Sequence, residues 1–182
     1  MYQTTALSDG HLLLRPFSPE DINPMFEAVR ESINELSVWM PWCHASYGVE
    51  ESSAFILSRE EAWKHEDEYG FAVLEAKTGI FLGCVGLNQF NRTYQYCNLG
   101  YWVRSSRVGR GVASTAARLA ARFGLEELGL QRIEILVATG NHGSQRAAEK
   151  AGAVREGVLR KRLLINGQSH DAVVYSLVAG DG

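Results

Sequence analysis

Short apolar or alternating runs take turns along this chain with stretches whose apolar residues recur every three or four positions, the signals of strands and helices respectively. His11 to Phe17 (HLLLRPF) predicts a strand. Ser18-Pro19-Glu20-Asp21 then offers a capping serine, a proline at the first helical position and acids in the first turn. The helix begun there is expected to reach about Ile33, with Ile22, Met25, Phe26 and Val29 on one face. Val49 to Asp67 predicts a second amphipathic helix, with Phe55, Ile56, Ala62 and Trp63 inward. Its acids Glu50, Glu51, Glu60, Glu61 and Glu66 read as a solvated face, with attraction of a cationic acceptor as the alternative. Tyr69 to Glu75 and Ile80 to Asn88 are strands joined by the turn Ala76-Lys77-Thr78-Gly79. Gln89 to Thr93 is a polar loop, and Tyr94 to Val103 makes a third consecutive antiparallel strand.

The second half repeats the alternation. A helix from Val112 to about Leu128 lines up Val112, Ala116, Leu119, Ala120 and Phe123, and Arg132 to Ala138 alternates like a strand. Asn141 and Ser144 open a short helix that Glu149-Lys150-Ala151-Gly152 closes, with Gly152 at the left-handed exit. Val154 to Ile165 and Ser169 to Val178 form two strands joined at Asn166-Gly167, a strong hairpin signal. No repeat or linker interrupts the 182 residues, so a single domain over 1–182 is expected.

The chemistry concentrates between Asn98 and Ala153. At Arg107-Val108-Gly109-Arg110-Gly111-Val112-Ala113 a strand gives way to a helix through two glycines, which lets backbone approach a ligand closely. The first amides of the helix point outward there and its dipole is positive, which suits a phosphate, and Arg104, Arg107 and Arg110 add charge. The order of strand, glycine turn, helix, strand, Asn-x-x-Ser, short helix and Gly resembles the GNAT acetyltransferase superfamily. The strand-to-helix opening at Ser18-Pro19, with Trp39-Met40-Pro41-Trp42 farther on, resembles its RimJ/RimL-like branch of ribosomal-protein N-terminal acetyltransferases.

That resemblance implies an α/β (α+β) fold, with helices on both faces of a central mixed, mostly antiparallel sheet that splays in the middle. It implies acetyl-CoA as co-substrate, with direct transfer to an amine. Its pyrophosphate would lie on Val108, Gly109, Arg110, Gly111, Val112 and Ala113, and its pantetheine arm along Leu99, Tyr101 and Val103 and against Asn141 and Ser144. Trp39 and Trp42 would border the acceptor; without the resemblance they read as a hydrophobic staple between helices. Two departures stand out. Val108 occupies a position that is Gln or Arg in many members, and Ala148 occupies that of a tyrosine which protonates the leaving thiolate in many of them. In the branch a serine one turn earlier takes that role, which makes Ser144 the catalytic residue expected here.

No general base declares itself. The carboxylate that some relatives carry near the last hairpin aligns with Leu163, leaving Asp171, Glu75 or a water chain. At neutral pH an α-amine has a neutral fraction roughly a few hundredfold larger than lysine, so a site without a strong base suits a protein N-terminus. A ribosomal protein is the specific expectation. The alternatives are a small amine such as a polyamine, an amino acid or an aminoglycoside, or an acyl-CoA-binding module without turnover.

Composition narrows the partners. A net charge of −3 gives no reason to expect nucleic acid, although the basic positions Arg155, Arg160 and Arg162 stand on one strand. Three separated cysteines, Cys43, Cys84 and Cys97, fit neither a disulfide framework nor a zinc spacing, and Cys97 reads as a buried, unactivated thiol. Five histidines show no paired spacing, so no metal is expected. No apolar run nears the roughly 18 residues of a membrane span, and MYQTTALSDG lacks the features of an export signal. A cytoplasmic enzyme is expected, with no membrane partner. Family members are often dimers, which makes a homodimer an implication of the resemblance.

Overall fold

A computed structural model of the chain describes residues 5–180. The strands are β1 (Leu7–Ser8), β2 (Leu12–Pro16), β3 (Tyr69–Glu75), β4 (Phe81–Asn91), β5 (Tyr96–Val103), β6 (Arg132–Ala138), β7 (Val154–Ile165) and β8 (Gln168–Val178). They form one sheet in the order β1-β2-β3-β4-β5-β6-β8-β7, antiparallel throughout except between β5 and β6. That parallel pair is in register only at Tyr96–Arg132, Cys97–Ile133 and Asn98–Glu134. Beyond it, Leu99 to Val103 pairs with β4 alone and Ile135 to Ala138 with β8 alone. A wedge therefore opens in the middle of the sheet, and its two lips carry backbone with no ladder partner on that side.

Two cores follow from the period of the strands. Phe71, Val73, Cys97 and Leu99 point to the face covered by α4 (Val112–Arg122) and α5 (His142–Lys150). Ala72, Leu74 and Trp102 point to the opposite face, under α1 (Ile22–Glu31), α2 (Ile33–Trp39) and α3 (Val49–Lys64). Successive strand residues alternate sides, so one sheet supplies both clusters.

Several boundaries differ from the sequence expectation, each for a local reason. The predicted helix from Ser18 opens as a 3-10 turn at Pro19–Asp21 and then breaks at Ser32. The Ser32 hydroxyl, fully buried, donates to the Ala28 carbonyl at 2.7 Å, a back-bond that bends or ends helices. α4 is regular to Arg122 and continues as a π turn over Phe123–Glu127. That wide turn seats Gly124 where a Cβ would lie 2.8 Å from Ile133 Cδ1 and 2.9 Å from Leu87 Cδ1. β4 runs on into the expected polar loop, with a bulge between Asn88 and Asn91, and β5 begins at Tyr96 instead of Tyr94. α3 stops at Lys64, short of Asp67, and β1 had no counterpart in the sequence reading. The Asn166-Gly167 hairpin forms as expected, with φ of 49° and 77° at its two central residues.

Candidate functional site

β5 ends in a 3-10 turn, Ser105–Arg107, and Val108 to Gly111 then lead into α4. Gly109 and Gly111 adopt φ of 79° and 81°, a region that costs other residues strain, and Gly111 is the N-cap of α4. The first intrahelical bond runs from the Thr115 amide to the Gly111 carbonyl at 3.0 Å. The amides of Val112, Ala113 and Ser114 are left without intrahelical acceptors, at the positive end of the helix dipole. Backbone arranged in this way suits an anion.

Its side-chain charge is smaller than three arginines suggest. Arg104 is held by Glu31, with Nε at 3.0 Å, and by the Phe81 carbonyl at 3.1 Å. Arg107 reaches Glu75 at 3.4 Å. Arg110 alone of the three is exposed and without an ion pair among the described residues. The acids come from distant elements, which is why the sequence hid them.

The same contacts anchor the turn. The corner between α1 and α2 receives three groups from it: the Ser105 amide donates to Ser32 Oγ at 2.8 Å, the Ser106 amide to Glu31 Oε1 at 2.9 Å, and Ser105 Oγ to Glu35 Oε2 at 2.9 Å. The Arg104 hydrogen bond is the chief reason that the Glu31 carboxyl is held down to about 2, against the opposing effect of burial.

At the far lip of the wedge, Asn141 caps α5 by accepting the Ser144 amide at 3.1 Å on its Oδ1. Ser144 Oγ donates to the Tyr101 phenol oxygen at 3.1 Å, and the phenol donates to the Ser144 carbonyl at 2.9 Å. A residue of β5 and one of α5 are thus joined across the opening. Burial pushes the Tyr101 phenol up, and the Ser144 hydrogen bond works against that rise. Ala148 is fully buried and contributes packing alone. Leu99 and Val103 turn their side chains to the α4 core, so what they present to the wedge is backbone.

On the opposite face a cavity of about 430 Å³ lies against β5. Trp42 forms its wall with Tyr47 and Trp102, at ring separations of 5.9 and 6.0 Å, and Phe17 and Phe55 extend it. Gly86, Gly100 and Tyr101 belong to its lining, so Tyr101 borders both the cavity and the wedge. Trp39 does not join Trp42 there. α2 ends on it and carries its ring to Gly140, where a Cβ would approach Trp39 Cη2 to 3.3 Å.

Two carboxylates line the cavity, and of these Glu68 escaped the sequence reading. Glu51, expected on the solvated face of α3, lines it, accepts the Gly48 amide at 2.8 Å and meets His44 Nε2 at 2.7 Å. The Gly48 amide first, and His44 after it, lower its carboxyl. Glu68 lines the cavity just before β3 and pairs with Arg59 at 2.6 Å, whose guanidinium lies 4.3 Å over the Phe55 ring. Neither base candidate from the sequence is there. Asp171 accepts the Lys161 amide at 2.8 Å, and Glu75 holds Arg107. Cys97 is fully buried and its thiol is pushed up to about 12 by burial. Among the described residues no group of three His, Cys, Asp or Glu side chains is placed to hold a metal ion, and no helix is long and apolar enough to cross a membrane.

Comparison with known proteins gives this geometry a context. A family model described as an acetyltransferase (GNAT) domain matches residues 11–154. The chain is 28% identical over 179 residues to YdaF of Bacillus subtilis (strain 168), provisionally named a ribosomal N-acetyltransferase, with 96% of this chain and 94% of that one covered. It is 28% identical over 163 residues to the spermidine N(1)-acetyltransferase of Escherichia coli (strain K12), covering 88% and 82% respectively. Among solved structures, RimL, the ribosomal L7/L12 alpha-N-protein acetyltransferase in complex with coenzyme A, matches with a TM-score of 0.87 over 98% of this chain and 100% of that one. At 16% identity, this is a likeness of fold.

Proposed function

We propose, from the premise that this chain belongs to the GNAT acetyltransferase family, that the acceptor of its acetyl group is the N-terminal α-amine of a protein or peptide. The chain is an acetyl-CoA-dependent N-acetyltransferase, similar to RimJ/RimL-type enzymes. The turn from Val108 to Ala113, with the outward amides that open α4 and with Arg110, receives the pyrophosphate. The unpaired lip formed by Leu99, Tyr101 and Val103 receives the pantetheine arm, and Asn141 and Ser144 close over it from α5. These assignments are supported by a wedge open where an amide-rich chain would lie and by an anion seat on the helix that follows β5.

The acceptor assignment rests on the charge balance of the aromatic cavity. Of its two carboxylates, Glu68 is paired with Arg59, and Glu51 is already engaged by the Gly48 amide and by the His44 ring. A polyamine needs unpaired acids to hold its several charges. An α-amine, whose neutral fraction near pH 7 is roughly a few hundredfold that of lysine, needs none, and the side chain that follows it can fill an apolar pocket. The amine would enter beside Trp42, attack the thioester carbonyl at the wedge and lose its proton through water. The similarity to a spermidine acetyltransferase keeps a small amine as the second reading, with Glu51 and Glu68 as its anchors.

Thiol release from acetyl-CoA decides between them. The substrates are a lysine-free peptide with a free N-terminus, an N-terminally blocked peptide with one lysine, and spermidine. Release with the first peptide far exceeding the other two is expected, together with a KM for that peptide raised about tenfold by Trp42→Ala. Spermidine as the preferred substrate refutes the α-amine assignment.

A further inference from the structure

We propose that the phenol of Tyr101 supplies the proton to the departing coenzyme A thiolate, and that Ser144 acts by hydrogen-bonding to that phenol instead of to sulfur. This rests on acetyl transfer itself and not on the identity of the acceptor amine.

Position is the first argument. Tyr101 lies on the lip of the wedge, three residues past Asn98, the last residue of β5 paired with β6; it belongs to the lining of the cavity on one face of the sheet while its phenol reaches α5 on the other. It therefore stands where the two substrates meet. The second argument is the direction of the hydrogen bonds. Ser144 Oγ donates its one proton to the phenol oxygen at 3.1 Å, so it is not free to donate to a thiolate while that bond lasts. The phenol donates to the Ser144 carbonyl at 2.9 Å, and that carbonyl lies inside α5, where a helical amide is its first partner. Tyr101 can turn its proton to sulfur without orphaning a backbone group.

Acidity is the third argument. A phenol, with a reference value near 10, is far closer to a thiol near 8.5 than an alcohol is; burial raises the Tyr101 phenol, and the bond from Ser144 works against that rise by stabilising the phenolate as it forms. The family's usual phenol comes from the position of Ala148, on α5. Here the same group reaches the wedge from β5 instead, and Ala148 is packed in the core.

The step balances as follows. The amine nitrogen bonds to the acetyl carbon, and the nitrogen proton passes to water. When the tetrahedral intermediate collapses, the carbon–sulfur bond breaks with its electron pair going to sulfur, and the Tyr101 proton joins it to give the free thiol. Tyr101 is left as a phenolate accepting from Ser144 Oγ, and it regains a proton from solvent before the next turnover.

The test compares wild type, Tyr101→Phe, Ser144→Ala and an enzyme with 3-fluorotyrosine at position 101, using whichever of the free peptide and spermidine turns over faster. Tyr101→Phe is expected to lower kcat about a hundredfold, with acetyl-CoA affinity within about twofold, and to abolish the alkaline limb of the kcat–pH profile. Ser144→Ala should lose about tenfold or less and shift that limb to higher pH, because the phenolate loses its donor. The fluorinated enzyme, which keeps the shape of the ring, should shift the limb to lower pH. An alkaline limb that survives Tyr101→Phe or stays in place on fluorination overturns the proposal, as does a larger loss from Ser144→Ala than from Tyr101→Phe.

Discussion

Replacing Ser32 by alanine tests whether the corner between α1 and α2 holds the glycine turn in place. The serine is fully buried, accepts the Ser105 amide at 2.8 Å and donates to the Ala28 carbonyl at 2.7 Å. Alanine removes the acceptor and leaves a half-buried amide unpaired, a loss of about 1–3 kcal/mol, while its better helix propensity returns about 0.5 kcal/mol. A net destabilisation of about 1–2 kcal/mol corresponds to a fall in Tm of about 2–8 °C for a chain of this size. The segment from Arg104 to Gly111 also loses one of its anchors, so acetyl-CoA should bind more weakly, with the peptide KM moving less. Thermal denaturation and an acetyl-CoA titration of the variant measure both. A Tm within 1 °C of wild type, with unchanged acetyl-CoA affinity, would refute the reasoning, since the Ser105 amide must then have found another acceptor at no cost.

Other consequences are open to simple assays. Gly111→Ala forces a side chain into a φ of 81° at the N-cap of α4, and should cost about 1–2 kcal/mol and weaken acetyl-CoA binding, read by thermal denaturation with and without the ligand. Arg110→Ala should leave Tm unchanged but raise the acetyl-CoA Kd several-fold, more at low salt than at high, whereas Arg107→Ala should have the smaller effect on Kd because Glu75 already holds that charge. Gly124→Ala drives a methyl into Leu87 and Ile133 and should destabilise by about 1–3 kcal/mol in denaturant unfolding. Glu31 and Glu156 are both held near 2 by arginine partners, from a reference value of 4.5. Because the folded values lie below the unfolded one, their contribution is complete above about pH 4.5 and is lost as pH falls towards 2. Denaturant unfolding between pH 6 and pH 2.5 should show that decline, and its slope should flatten in Glu156→Gln.

What the sequence revealed was what neighbours along the chain decide. Gly109 and Gly111 in the turn, Asn141 as a cap and Asn166-Gly167 as a hairpin each need only their own conformation and one or two nearby amides. Tyr101 was legible as a wedge residue through its backbone, but its phenol could not be read, because its partner Ser144 lies 43 positions away. The same holds for Ser32 and Ser105, which are 73 apart. Trp39 and Trp42 looked equivalent as a pair flanking Pro41. The end of α2 separates them, one to Gly140 and the other into the cavity. Glu51 was placed correctly on its helix and on its exposed face, but its place at the cavity could not be read, since His44, Trp42 and Tyr47 come to it from the preceding loop.

The wedge has a further consequence for how the protein keeps. A closed sheet of this order would expose edges only at β1 and β7, but the parting of β5 and β6 adds two more in the interior, along Leu99–Val103 and Ile135–Ala138. Unpaired strand edges are templates for pairing with other chains, and so for aggregation. With the pantetheine arm placed as proposed, acetyl-CoA masks one of these edges and also shifts the unfolding equilibrium, by about 2.7 kcal/mol at a hundredfold excess over its Kd. The ligand-free enzyme is thus the form expected to aggregate first, and acetyl-CoA is expected to lengthen the life of this protein as well as to supply its reaction.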